Sequence, residues 1–365
     1  MKLKDGQPLF SFRKTISIEK QLNQLNIPGL SFSILKNFEI IHTKYFGVKD
    51  LISKKKVDNH TLFEAGSTSK LVTAVVTLKL VEKGKLKLDK NVDNYLKDWK
   101  IPFSEKINKK EITLKQLLTH TSGINRPDSM FNVEEGKKPT ILQVLKGEPP
   151  AINDPVKVEF TPGTNHKYSN FAYIIIEKII EDVSKTTLPD LAKELIFTPL
   201  KMENSFFGYP TNEIKQRIIL PHNEKGEPKR TGLHPTVFGH GGLITTTNDL
   251  AKFMLELMNS YRGSSDKLLS QLMIKEMLTP AIKLDPSKYF GFTGQGLGVF
   301  LMETDKELFF VHPGTNHPGA VCMFIGNPTS GEGFIAMSNG IQGEILHIQM
   351  LFAIAKEFNW PIFRI

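Results

Sequence analysis

The chain has 365 residues, 40% of them hydrophobic and 23% charged; this length buries a large core without covalent staples, and the composition argues against low-complexity disorder. Its single cysteine, Cys322, excludes an intrachain disulfide and a multi-cysteine zinc site. The formal charge of +9 rests on lysine, with arginine only at positions 13, 126, 217, 230, 262 and 364; because arginine is the residue whose planar fork reads phosphates and base edges, the dispersed lysine surplus reads as a solvated surface and no nucleic-acid partner is expected.

No run of about 18 apolar residues occurs, so no transmembrane helix is expected. The opening Met-Lys-Leu-Lys-Asp-Gly-Gln-Pro has no apolar h-region, which points to a cytoplasmic location, or to a periplasmic or secreted one if a signal has been removed. Residues 15–26 have helical apolar spacing, ended by Pro28-Gly29. Residues 30–35 alternate and 39–47 are rich in aromatic and β-branched residues, which predicts a hairpin about Lys36-Asn37. A further short strand is predicted over 61–64. Residues 67–83 then read as a helix closed by Gly84, with apolar side chains nearly all round the cylinder, so it belongs inside the protein. From there to about residue 235 the signals are helical or loop-like, clearest at 113–119 and 171–184. Strand patterns return at 297–303, 307–312, 319–325 and 333–338, spaced as an antiparallel meander, before an amphipathic helix over 343–358. The predicted fold class is α/β of the α+β type: one antiparallel sheet built from both ends of the chain, flanked by helices, with an inserted all-helical lobe.

Three constellations carry candidate chemistry. In Ser67-Thr-Ser-Lys70, Ser67 opens the buried helix and Lys70 falls on the same face about one turn on. A serine needs a neighbour to take its proton, and a lysine does so only when desolvation or a second cation lowers its pKa. The plainer alternative makes Ser67 a helix cap and lets Lys70 snorkel to solvent. In Tyr168-Ser169-Asn170, a phenol and an amide stand at the mouth of the next helix, and lysines near Tyr168 would lower its pKa and make it a base; the alternative is a buried tyrosine with Asn170 as cap. In His312-Pro313-Gly314-Thr315, Pro313 forces a strand end or edge and Gly314 admits close approach to the backbone. His120, His240, His312 and His317 lack the helical spacing of a zinc hydrolase, and the run 239–242 has no following phosphate-loop lysine, so neither metal nor cofactor is expected. His120 and His240 read as backbone-bonded, Cys322 as a core residue, and residues 245–249 as a helix start.

In this order the motifs resemble the β-lactamase and penicillin-binding-protein family, in the branch whose second motif is Tyr-x-Asn: class C β-lactamases, D-alanyl-D-alanine carboxypeptidases and family VIII-type esterases. Leu117–Gly123, Pro199–Met202, Gly241–Leu243 and Thr247–Leu250 fit the same family, and the resemblance runs from about residue 15 to 357. It implies a β-lactamase/transpeptidase-like fold and a single catalytic domain over 10–365, with a sheet part of about 10–65 plus 236–365 and a helical part of about 66–235. It implies Ser67 as acylated nucleophile, Lys70 as proton shuttle, and Tyr168 as base and acid. Asn170 would bond Lys70 and the substrate's acyl side. The backbone N–H groups of Ser67 and Thr315 would form the oxyanion hole, with His312 in place of the third-motif lysine and Gly314 beside it. Loss of that lysine and of the threonine hydroxyl of Lys-Thr-Gly, with a histidine that is neutral near pH 7, favours ester or other uncharged acyl substrates. The expected partner is a small-molecule ester, amide or peptide-like substrate. The alternatives are a β-lactamase or D,D-carboxypeptidase, and a non-catalytic binding protein on the same fold; oligomeric state is left open.

Overall fold

The computed structural model describes residues 17–103, 111–127, 137–208, 210–229, 236–305 and 307–360. The expected first two residues of the opening helix, and the 10–16 end of the expected sheet part, lie outside them. The predicted hairpin is β1 (Gly29–Lys36) and β2 (Glu39–Gly47), turning on Asn37 (φ 53°) and Phe38 (φ 63°). Two successive positive φ values match the right-handed twist of the strands. The turn is held by the Phe38 N–H, which donates to Gly331 O.

The later strands are β3 (Phe63–Glu64), β4 (Phe206–Phe207), β5 (Leu243–Thr245), β6 (Ile282–Lys283), β7 (Gly294–Gly296), β8 (Val299–Glu303), β9 (Leu308–Val311), β10 (Gly314–Asn316), β11 (Ala320–Asn327) and β12 (Glu332–Ser338). The main sheet runs β2-β1-β12-β11-β9-β8-β7-β6, and β10 also pairs with β11. Every pairing is antiparallel; β1 joins the C-terminal meander through Leu30↔Ser338 and its neighbours. The sheet is therefore built from both ends of the chain, as the pattern predicts. The segment 61–64 departs from the expectation. It supplies only the two residues of β3, and these pair with β5 in a separate three-stranded sheet, β3-β5-β4.

The helices are α1 (Ile18–Gln24), α2 (Ser69–Glu82), α3 (Leu114–Leu118), α4 (Ile141–Lys146), α5 (Asn170–Ser184), α6 (Leu188–Ala192), α7 (Asn212–Lys215), α8 (Thr247–Tyr261), α9 (Gln271–Met277) and α10 (Gly343–Glu357). Strand β1 is buried on both faces because each is covered. Leu30, Phe32 and Ile34 share one core cluster with Leu346 and Met350 of α10 and Leu22 of α1. Ser31 faces the other way, its Oγ 2.6 Å from Thr247 Oγ1 at the start of α8, where small side chains let the helix lie close to the sheet. The second and larger core gathers α2, α5 and α8. Helix α2 is buried from Ser69 to Leu78 on every side, as apolar side chains nearly all round it lead one to expect. Among the described residues no helix is long and apolar enough to cross a membrane.

Candidate active site

From Thr61 to Leu78, Ser67 is the one residue that is not fully buried. It sits in a 3-10 turn, Gly66–Thr68, that leads into α2, and the helix begins at Ser69 without a side-chain cap. The cap alternative for Ser67 therefore does not describe this turn. Gly66 has φ +53°, and a Cβ there would stand 2.6 Å from Thr315 N. A Cβ on Gly314 would stand 2.0 Å from Ala65 O and 2.9 Å from Thr68 N. The two glycines thus allow the backbone of β10 to lie directly on the Ser67 turn, where Thr68 Oγ1 donates to His312 O at 3.0 Å. This contact brings the Ser67 and Thr315 backbones side by side. Gly314→Ala must push them apart, and an overpacked contact of this kind costs about 1–3 kcal/mol. A lower melting temperature is expected for the variant, and one equal to the wild type would contradict the packing described.

Lys70 does not snorkel. It is completely buried, its Nζ donating to Ser67 Oγ at 3.2 Å and to the His240 carbonyl at 2.5 Å. The ammonium would also lie over the rings of Tyr168 and Tyr173, 4.9 and 5.6 Å from their centroids. Desolvation, reinforced by the charge of Arg126, holds the Lys70 pKa well below its ordinary value. The side chain is thereby biased toward the free amine, the form that can take a proton from the serine hydroxyl.

Tyr168 moves the other way from the expectation. Its hydroxyl bonds Ser67, but burial raises the phenol pKa above 10, and the Ser67 bond and Arg126 offset only part of this. The neighbouring Lys167 gives no help, because its ammonium pairs with Glu159 at 2.5 Å. A phenol with a raised pKa beside an amine with a lowered one is a pair of titratable groups pushed apart by their surroundings, the usual sign of divided acid and base roles.

Asn170 is the first residue of α5 and is buried. The cap of that helix is Ser169, whose Oγ accepts from Ala172 N at 3.1 Å and donates to Asn125 O at 2.8 Å. Asn170 is therefore not needed as the cap. His120, with φ 57°, accepts from Ser169 N through Nδ1 at 3.2 Å and packs on Tyr168 with ring centroids 4.3 Å apart. It props the phenol, in line with its reading as a backbone-bonded residue.

His312 is buried, its Nδ1 2.9 Å from the Pro313 carbonyl, and burial pushes its pKa down to about 3, so the ring is neutral at physiological pH. The Thr315 hydroxyl donates to Glu344 Oε1 at 2.6 Å. What Thr315 presents on the Ser67 side is its backbone. Strand β9 and strand β10 follow the same partner, β11, and are interrupted at Pro313, which has no N–H to give the ladder.

Two site residues were not singled out from the motifs. The Arg126 guanidinium lies 5.5 Å from the Tyr168 ring centroid and is exposed, with no ion pair among the described residues. Its only sequence signal is its position three residues after Gly123. Phe300 of β8 stacks on Tyr168 at 6.1 Å and contacts the His312 ring at 5.7 Å; in the sequence it is one more apolar residue of a strand. Among the described residues no group of three or more His, Cys, Asp or Glu is placed to hold a metal ion.

A buried lysine on a serine, at the junction of a helical layer and the edge strand of an antiparallel sheet, defines the class. A family model described as Beta-lactamase matches residues 16–349. The chain belongs to the beta-lactamase family. It is 29% identical to the protein flp of Staphylococcus aureus strain MRSA252 over 257 residues, 67% of this chain and 49% of that one, so the chain spans about half the length of that relative. The octameric penicillin-binding protein homologue from Pyrococcus abyssi superposes with a TM-score of 0.71 at 25% identity, covering 88% of this chain and 72% of that one. The D-amino acid amidase from Ochrobactrum anthropi SV3 has the same fold, with a TM-score of 0.73 at 20% identity over 93% of this chain and 96% of that one.

Proposed function

We propose that this chain is a serine hydrolase that works through an acyl-enzyme on Ser67, with esters as the preferred substrates and amides as slower ones. The observation that carries this is the buried Lys70, its pKa depressed by desolvation, with its Nζ 3.2 Å from the one accessible hydroxyl of the turn. Ser67 Oγ bonds the substrate's carbonyl carbon as Lys70 Nζ takes its proton. The carbonyl oxygen gains the electron pair and is held by the N–H groups of Ser67 and Thr315, beside Gly314. Tyr168, a neutral phenol between Ser67 and the cleft, relays the proton from Lys70 to the leaving atom as its bond to the acyl carbon breaks. Water then attacks the acyl carbon, its proton passing through Tyr168 and Lys70 to Ser67 Oγ as the acyl carbon–Oγ bond breaks and the acid leaves. Asn170 orients the acyl side from the first turn of α5. This division makes Lys70 the base and Tyr168 the relay, which agrees with the opposite directions in which burial moves their pKa values. One catalytic domain over 10–365 would carry the whole site, its helical part of about 66–235 set between the sheet-building ends.

The ester preference follows from the third motif. A neutral, buried His312 and a Thr315 hydroxyl committed to Glu344 offer no charge to a substrate carboxylate. A second reading, a D,D-carboxypeptidase or β-lactamase, draws support from Arg126, a cation beside Tyr168 that could meet such a carboxylate instead. The test is incubation with a fluorescent phosphonate, then p-nitrophenyl esters, nitrocefin and D-Ala-D-Ala peptides in one panel. The expected result is a single adduct on the peptide bearing Ser67 and faster turnover of esters than of the other two. Rapid nitrocefin turnover would select the second reading, and an unlabelled Ser67 would rule out both.

A further inference from the structure

We propose that Glu177 is a positioning residue for Lys70, acting through the backbone of residues 238–240; the kinetic part of this rests on the serine-hydrolase reading above. Glu177 lies about two turns beyond Asn170 on α5, on the same side of the helix. It is buried, in a run otherwise dominated by isoleucines 174–176, 179 and 180. Its carboxyl oxygen Oε2 accepts from Phe238 N at 2.8 Å and from Gly239 N at 2.8 Å. The next carbonyl along that backbone, of His240, receives the Lys70 Nζ. The rest of the loop is pinned to α2: Thr73 Oγ1 donates to Gly239 O at 2.9 Å, and Leu243 N donates to Ser69 Oγ at 2.9 Å.

A buried carboxyl in such a place is costly, and burial pushes its pKa up to about 8 although two backbone N–H groups favour its charge. An aliphatic side chain would avoid the cost but would leave the two N–H groups without an acceptor and the loop without its tie to α5. The geometric consequence falls on Lys70. A neutral amine has two N–H bonds and one lone pair. With one N–H held on the His240 carbonyl, loss of the proton now donated to Ser67 Oγ turns the lone pair onto that oxygen. Loosening residues 238–240 lets Nζ rotate and drift, and misplacement of a catalytic group by about 1 Å can cost about 10²-fold in rate. Among the described residues the hydrogen bonds of Glu177 all go to backbone, so its effect is on placement. The ionisable groups nearest in the connectivity are Glu181 one turn on, whose charge adds to the raised pKa, and Lys70 and His240 across the loop.

The experiment compares wild type with Glu177→Leu, Glu177→Gln and Asp182→Asn. The last breaks the buried Lys178–Asp182 pair on the same helix and leaves the 238–240 loop alone. In wild type the Phe238 and Gly239 amides are expected to exchange with solvent as slowly as core amides, and exchange at the rate of exposed amides overturns the proposal whatever the variants do. In Glu177→Leu, exchange at both is expected to quicken and burst-phase acylation of Ser67 by a p-nitrophenyl ester to fall about 10²-fold at nearly constant KM. Glu177→Gln, which keeps an acceptor oxygen, is expected to recover most of that loss, and Asp182→Asn to acylate like wild type despite a lower melting temperature. A folded Glu177→Leu that acylates like wild type overturns the proposal. If wild type itself fails to acylate, the hydrolase reading falls, and the amide exchange together with the NMR titration of Lys70 Nζ, expected to differ between wild type and Glu177→Leu, still decides the placement.

Discussion

Ser67→Ala is expected to lower ester turnover on the order of 10⁵-fold while the protein stays folded. Loss of a nucleophile removes the whole covalent route, and what survives is the background supplied by binding and by oxyanion donors. The fold should tolerate the change because Ser67 is the least buried residue of its segment, and its hydroxyl serves neither as a helix cap nor as a core contact. The hydrogen bond it takes from Lys70 is one of two, and the His240 carbonyl keeps the other. Steady-state turnover and a thermal melt on the same preparation check both halves. An alanine variant with near wild-type turnover would mean that the ester is cleaved elsewhere on the protein.

Lys70→Met should cost about 10²–10⁴-fold in acylation, the usual range for a general base, and should also change how stability depends on pH. The folded-state pKa of Lys70 lies below its ordinary 10.5 because burial disfavours the charge. Between those two values the unfolded chain holds the extra proton, so wild-type stability rises with pH and is progressively lost as pH falls from 10.5 toward the folded value. Methionine carries no proton in either state. The stability of Lys70→Met relative to wild type should therefore be greatest at low pH and diminish as pH approaches 10. Denaturant melts across this range read the slope, which is independent of any constant cost of leaving the His240 carbonyl without its donor. Parallel slopes for the two proteins would contradict a depressed Lys70. The wild-type kcat/KM should likewise rise through the Lys70 pKa, since only the free amine accepts the Ser67 proton.

Local patterns carried much of the architecture. The hairpin 30–47, the buried helix after Ser67, the meander 297–338 and the last helix stand where alternation and apolar periodicity place them, since each pattern repeats within a few residues of itself. The errors fall where a local signal was short or where two elements competed for it. Residues 61–64 look like sheet, but only Phe63 and Glu64 join a strand, β5, which lies about 180 residues away, while Leu62 makes an isolated bridge to Ile218. Ser169 and Asn170 are both good caps, and adjacency alone could not choose between them; the Asn125 carbonyl, brought up by the segment after α3, takes the Ser169 hydroxyl and settles the geometry.

The sequence by itself determined the Ser-x-x-Lys motif at 67–70, its position at the head of a helix, and the order of the three motifs. Spacing of three residues on a helix is a local fact, and chain order survives any folding. Only the tertiary structure decided the ionisation of the site. Desolvation acts from every direction at once, and the groups that enclose Lys70 come from α5, the 238–240 loop and the segment after α3, between about 50 and 170 residues away. For the same reason Tyr168, flanked by lysine in the sequence, has its pKa raised in the fold, because Lys167 turns to Glu159 and the phenol is enclosed by His120 and Phe300.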